Sequence, residues 1–324
     1  MVSVKGALLG MADLARTKRK NLIVVRAGDS SLHSTFFAGS ASPRSWDLHV
    51  SYFGSAKAPP AVEGEDFTWS ADGGNSKFNG LFTCFEKAPS FFEDYQYIAI
   101  PDDDLICTKD DWNTAFALAR EYRMAACQLS LNRRSFYSHN ITLQRKGLRL
   151  RWVTMVEPIA PIIRTDILQS LMPIFALPEN MWAIDYALSD LVIDNPNSLA
   201  ILDAASVVHT REVMSSSVYD TIREYGKTPL QVEAEFLQRH GITRHRRALV
   251  GAVDAQGRAV VNLLPISKKL FIPKLLQRYR RMRGTVTIAR HELIIFRIMN
   301  AVRNCRAKLL SIRNDTSRIG MVHR

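Results

Sequence analysis

Short apolar runs alternate with stretches of helical spacing through the first two thirds of the chain. Residues 21–26 (NLIVVR) are β-branched and close on Ala27-Gly28-Asp29, the pattern of a buried strand entering a loop. The run at 47–54 (DLHVSYFG) reads the same way, as does 95–100 (YQYIAI), which Pro101 stops. Between them, 58–74 is rich in Pro, Gly and acids and predicts a surface loop with little regular structure. Residues 78–92 suit a helix with Pro89 near its end. The segment 110–123 sets Trp112, Phe116, Ala119 and Tyr122 at spacings that share one helical face, and 125–131 is strand-like.

In the second half, 152–163 is apolar and extended, and helices are expected at 165–172 and 182–193. Asn195-Pro196-Asn197 breaks the second of these before another strand at 199–209. Residues 216–240 read as helical, and beyond Arg244 the pattern weakens. No internal repeat is present. Strands alternating with helices imply a layered α/β domain with a largely parallel sheet, whose ligands sit beyond the carboxyl ends of the strands.

Composition changes this picture in two places. With 324 residues, 47% of them hydrophobic, the chain is long enough for one sizeable α/β domain and an appendage, which excludes disorder throughout. The net charge of +12 is not spread evenly: 15 of the 43 Lys and Arg follow residue 264, against only Glu292 and Asp315, so the body before them carries −1. A nucleic-acid reading would therefore rest on the tail alone, and no known nucleic-acid motif accompanies it. The expected organisation is a basic arm at 1–20, a domain at 21–245 and a basic, mostly helical extension at 246–324. Cys84, Cys107, Cys127 and Cys305 include no CxxC pair, so neither a zinc site nor a disulfide framework is suggested, and a reducing cytosolic setting fits. The apolar stretch near the start is too short and broken for a signal peptide, and no window approaches a transmembrane span.

The candidate chemistry lies in Pro101-Asp102-Asp103-Asp104-Leu105, at the carboxyl edge of the third strand. Alternate residues of extended chain share a face, so Asp102 and Asp104 can address one ion while Asp103 faces elsewhere. Two carboxylates about 4 Å apart repel by roughly 4 kcal/mol at an effective dielectric near 20, a conflict that bound Mg²⁺ or Mn²⁺ removes. Such an ion also neutralises a leaving diphosphate. The same acids could instead solvate a strand end or cap the helix near Asp110.

Several segments together resemble the bacterial branch of domain of unknown function 707, whose members look like GT-A glycosyltransferases. These are VVRAGDSSLH (24–33), WDLHVSYFG (46–54), GGNSKFNGL (73–81), YQYIAIPDDDL (95–105), VEPIAPII (156–163), WAIDYAL (182–188) and VVHTREV (207–213), in the family's order. The resemblance implies a GT-A-like, Rossmann-like fold with a mixed, mostly parallel sheet flanked by helices. It implies transfer of a sugar from a UDP- or GDP-sugar donor. It places Gly28, Asp29 and Ser30 on the loop that receives the nucleotide, Lys77 at a phosphate, and Asp102 and Asp103 against the donor. Asp102, Asp104 and His209 become the ligands of Mn²⁺ or Mg²⁺, and Asp185 the general base, with Glu157 competing for that role. Each has a plainer alternative: a strand-to-helix turn at Gly28, a solvated Lys77, a salt bridge at Asp185, a structural His209. Where the family often continues His-Thr with Arg-Pro, this chain has Arg211-Glu212, so Glu212 could compete for the cation.

The extension lies outside the resemblance. Lys268, Lys269, Lys274 and Arg278 to Arg283 interleave with Leu270, Phe271, Ile272, Leu275 and Leu276, a mixture suited to an anionic membrane surface. Docking on the inner face of the cytoplasmic membrane would bring the enzyme to an envelope or lipid-linked acceptor. Two other functions stay open from sequence: a non-catalytic nucleotide-binding relative, and a nucleic-acid- or membrane-binding protein acting through its tail.

Overall fold

The computed structural model describes residues 19–72, 76–177, 183–192, 194–195, 197–212, 226–245 and 247–260. The arm at 1–18, Gly73 and Gly74, Trp182, residues 216–225 of the helix expected at 216–240 and the extension from 261 lie outside the described residues. The strands in chain order are β1 (Asn21–Ala27), β2 (Trp46–Tyr52), β3 (Thr68–Ala71), β4 (Tyr97–Ala99), β5 (Leu105–Ile106), β6 (Ala126–Leu131), β7 (Leu148–Val153), β8 (Pro161–Arg164), β9 (Leu199–His209) and β10 (Leu249–Asp254). The helices are α1 (Lys77–Lys87), α2 (Pro89–Glu93), α3 (Lys109–Glu121), α4 (Thr165–Phe175), α5 (Ile184–Leu191) and α6 (Pro229–His240).

Together the strands form a mixed sheet in the order β10-β7-β9-β6-β8-β4-β1-β2-β3, with β5 paired to β9 off that path. β3, β2, β1 and β4 are parallel neighbours. β8 runs antiparallel between β4 and β6, and β9 lies parallel to β6. This is the expected fold class: α/β, mostly parallel, with helices on both faces.

The continuous apolar runs follow from burial on two sides. In β1, Ile23 and Val25 pack with Trp112 and Phe116 of α3, while Leu22 and Val24 pack with Phe78 and Leu81 of α1 and with Leu168 and Leu171 of α4. Successive residues of a strand point to opposite faces, so one run feeds both cores.

Three expectations need correction. The segment 58–74 contains β3, an edge strand of only four residues without an apolar run to announce it. The helix expected over 78–92 is two helices, because Pro89 has no N–H to continue α1 and pushes Ala88 out of the helical region, to φ −150° and ψ 70°. The sheet also runs past residue 245: β10 pairs antiparallel with β7, so 249–254 belongs to the sheet and not to a helical extension.

The antiparallel half is pinned by a buried ion pair. Arg151 of β7 and Asp203 of β9 both have fully buried side chains, with Nε to Oδ2 at 2.7 Å. Arg151 also donates to the carbonyls of Ile141 and Leu143 at 2.6 and 2.8 Å, so its charge is fully solvated by protein. Asp203→Ala would leave that guanidinium uncompensated and is expected to cost about 3–5 kcal/mol in denaturant unfolding. A loss below about 1 kcal/mol would show that the pair does not hold β7 to β9.

Candidate active site

The three consecutive acids lie in a turn between β4 and β5. Each residue's backbone is tied to a different segment: Asp102 N–H donates to the Ile159 carbonyl (2.9 Å), the Asp103 carbonyl accepts from Leu32 N–H (2.7 Å), and the Asp104 carbonyl accepts from Thr210 N–H (3.2 Å). The pairing of β5 with β9 then sets Leu105 opposite His209. Asp104 and His209 are thereby brought together from distant parts of the sequence.

Asp102, Asp104 and His209 each offer one ligand atom, all within 4.8 Å of one another. His209 Nε2 stands 3.2 Å from Asp104 Oδ2. Its other nitrogen, Nδ1, lies 2.9 Å from the Phe136 carbonyl, which can only accept, so Nδ1 carries a proton. In a neutral ring Nε2 would then present a lone pair to a carboxylate oxygen, an arrangement that needs a proton or a cation between them. Burial opposes ionisation of both groups; mutual pairing outweighs it, holding Asp104 below and His209 above their ordinary values. Asp104 Oδ1 is buried without a hydrogen-bond partner among the described residues. A hard divalent ion fits this donor set of two carboxylates and one imidazole.

The side chains beside this group have protein partners of their own. Asp103 turns away, as expected, accepting from Gly28 N–H at 3.2 Å and from Arg211 Nη1 at 3.0 Å. Lys77, expected at a phosphate, is enclosed by protein acceptors: Asp102 Oδ1 at 2.6 Å, the Ile100 carbonyl at 3.1 Å and the Pro158 carbonyl. It opens α1 just after Ser76, whose hydroxyl caps the helix by accepting from Asn79 N–H.

Glu157 and Asp185 are both buried. Glu157 lies close enough to Asp185, His209 and Asp102 to feel their charges; burial first, then Asp185, pushes its carboxyl up to about 8. Its Oε2 has no hydrogen-bond partner among the described residues, and the same holds for Gln128 Nε2, whose Oε1 accepts from Glu157 N–H at 2.5 Å. Asp185 sits in the first turn of α5, which starts from Ala183 in the left-handed region at φ 82°, a conformation costing a non-glycine residue roughly 1–2 kcal/mol. Burial raises Asp185 as well, opposed by Arg247, whose Nη2 is 3.5 Å from Oδ2.

On the loop after β1, a Cβ at Gly28 would meet the Phe53 ring at 3.2 Å, so the glycine allows that ring to lie against the backbone. Asp29, expected to receive ribose or base, is already ringed by donors: the Tyr52 hydroxyl, Ser55 N–H (3.0 Å), Ser55 Oγ (2.7 Å) and Ala56 N–H (3.2 Å). These hold its carboxyl well below the usual range. Arg211 bridges the two halves of the site, from Asp103 to Ser30 Oγ at 3.1 Å. Sequence reasoning had seen Arg211 only as a departure from a pattern and had not singled out Gln128, which reads as one more residue of a buried strand.

The chain matches no protein-family model and no curated protein. Among solved structures it is similar to S. aureus TarS, at 15% identity over 68% of this chain and 43% of that one, with a TM-score of 0.40. It is also similar to TarS 1-349 in complex with UDP (14% identity, 68% and 71% covered, TM-score 0.40) and in complex with UDP-GlcNAc (15%, 68% and 72%, TM-score 0.37). The chain thus spans less than half the length of the longer TarS structure.

Glu157 gives a pH test. A carboxyl raised in the folded state favours folding fully below its unfolded value and loses that contribution as pH rises from 4.5 to about 8. The unfolding temperature should fall across that window, and Glu157→Gln, which cannot ionise, should flatten the fall. Parallel curves for the two proteins would show that the buried carboxyl is not the group responsible.

Proposed function

We propose that the protein is a metal-dependent, GT-A-type glycosyltransferase that moves a sugar from a UDP- or GDP-sugar to an acceptor hydroxyl. The observation that carries this reading is the convergence of Asp102, Asp104 and His209, with one buried carboxylate oxygen unpartnered and an imidazole nitrogen facing a carboxylate. The resemblance of seven ordered segments to the bacterial branch of domain of unknown function 707 supports it.

Asp102, Asp104 and His209 would hold Mn²⁺ or Mg²⁺, which when bound supplies positive charge for the diphosphate leaving group. Lys77 does not reach for phosphate in this reading; it fixes the Asp102 carboxylate and offsets its charge. Gly28, Ser30 and Arg211 face the donor, and Asp103 keeps Arg211 in place. Asp29 acts by shaping the loop through its contacts with Tyr52 and Ser55. Of the two buried carboxyls, Asp185 is the better candidate base, because Arg247 opposes the rise that burial imposes on it, whereas the charge of Asp185 pushes Glu157 further up. The basic segment 265–324 would bring the enzyme to an anionic membrane that carries the acceptor.

Thermal unfolding with UDP- and GDP-sugars, with and without Mn²⁺, tests the donor site. At one hundred times its Kd a ligand adds about 2.7 kcal/mol to stability, and that gain should appear only when metal is present. Asp102→Asn and Asp104→Asn should lower metal-dependent donor hydrolysis by about 100-fold or more. Metal-dependent stabilisation without any turnover would identify a silent nucleotide-binding relative, and no stabilisation by any nucleotide sugar would overturn the proposal.

A further inference from the structure

A second group of metal-ligating side chains shares no residue with the first. His49 comes from β2, Asp72 follows β3, and Cys84 lies in α1, with exposures of 0%, 5% and 0%. One ligand atom from each lies within 4.8 Å of the others. Cys84 Sγ is 3.8 Å from His49 Nε2 and 2.9 Å from Asp72 Oδ2. The Ser70 hydroxyl lies among them, 2.9 Å from His49 Nε2, 2.5 Å from Asp72 Oδ2 and 3.7 Å from Cys84 Sγ.

We propose that His49, Asp72 and Cys84 form a structural zinc site, with the Ser70 hydroxyl or a water as fourth ligand. Bond lengths of about 2.0–2.3 Å in a tetrahedral site put ligand atoms roughly 3.3–3.8 Å apart, so the imidazole and sulfur already stand at a fitting separation. One thiolate, one imidazole and one carboxylate suit zinc, whereas the oxygen-rich set at Asp102 and Asp104 suits magnesium or manganese. The outer contacts needed to aim such ligands are present. Thr68 Oγ1 is 2.9 Å from His49 Nδ1, and Lys87 Nζ is 2.9 Å from Asp72 Oδ1. The Lys87 side chain is 53% exposed, so the cluster lies one movable side chain below solvent.

Without a metal the same atoms close a hydrogen-bonded circuit, in which the thiol and the Ser70 hydroxyl both donate to Asp72 Oδ2. Zinc binding breaks the S–H bond, leaves the electron pair on sulfur for the metal and releases the proton to solvent. Burial pushes the Cys84 thiol up to about 12 and His49 down to about 4.

The test is titration of the chelator-stripped full chain with Co²⁺, following the thiolate-to-cobalt charge-transfer absorption. That signal needs a cysteine ligand, and the Asp102, Asp104 and His209 set has none, so success or failure here is independent of the glycosyltransferase reading. The band should saturate at one cobalt per chain and bleach when Zn²⁺ is added. It should persist in Asp104→Asn and disappear in Cys84→Ser and His49→Gln, with folding of each variant verified by circular dichroism. Absence of the band in the wild-type chain would overturn the proposal. So would a band undiminished in Cys84→Ser, which would assign it to Cys107, Cys127 or Cys305.

Discussion

The two-residue pairing of β5 with the end of β9 is the constraint on which the site depends. It sets Leu105 against His209 and Ile106 against Val208, and Thr210 closes it by donating from both N–H and hydroxyl to the Asp104 carbonyl. A shift of one residue would turn His209 to the other face of its strand and dissolve the group it forms with Asp102 and Asp104. The register is protected from behind: β9 pairs in parallel with β6, and its Asp203 is locked to Arg151 in the buried core. The placement of one imidazole is thus inherited from the packing of the whole sheet.

Three aspartates in a row would be an unstable arrangement if they shared one environment. They do not. Asp102 has the Lys77 ammonium, Asp103 has the Gly28 amide and Arg211, and Asp104 has His209. The turn distributes the three side chains among three counter-charges on different segments. Of these partners only His209 has a side chain suited to a divalent ion, so the division also bears on which carboxylates are available to one. Asp103 links the acids to the loop after β1, because one oxygen binds Gly28 and the other Arg211, which in turn reaches Ser30.

How far this was legible in the sequence depended on whether a residue's partner was local. β9 was readable as a strand over 199–209, since a mainly apolar stretch of that length begins directly after the Asn195-Pro196-Asn197 break. β3 and β10 were not: the alternation from Phe67 to Asp72 is short and follows a stretch rich in Pro, Gly and acids, and the apolar run from Ala248 to Val253 directly follows the basic residues at 244–247. The grouping of Asp102 with Asp104 was expected from extended geometry, yet the residues lie in a turn, and the tertiary ties of Ile159, Leu32 and Thr210 orient them. Lys77 was expected at a phosphate and not against three protein acceptors, since the Pro158 carbonyl arrives from a remote segment. For the same reason the cysteines gave no metal signal: His49, Asp72 and Cys84 have no motif spacing and meet only because β2, β3 and α1 pack together.

α1 carries Cys84 of one cluster and Lys77, which pairs with Asp102 of the other. Lys77 is in its first turn and Cys84 seven residues later, a rise of about 10 Å along one helix. The helix has little freedom to tilt between them, because a Cβ at Gly80 would stand 2.3 Å from Arg26 Nη1 and 3.1 Å from Ser51 Oγ, so it lies directly on β1 and β2. Asn79 fixes its other side by donating to the carbonyls of Phe175 and Leu177. The same helix therefore seats Cys84 beside His49 and Asp72 and Lys77 against the carboxylate of Asp102. The two clusters share no ligand, but the geometry of the acidic one is supported by a helix whose far end is anchored in the other.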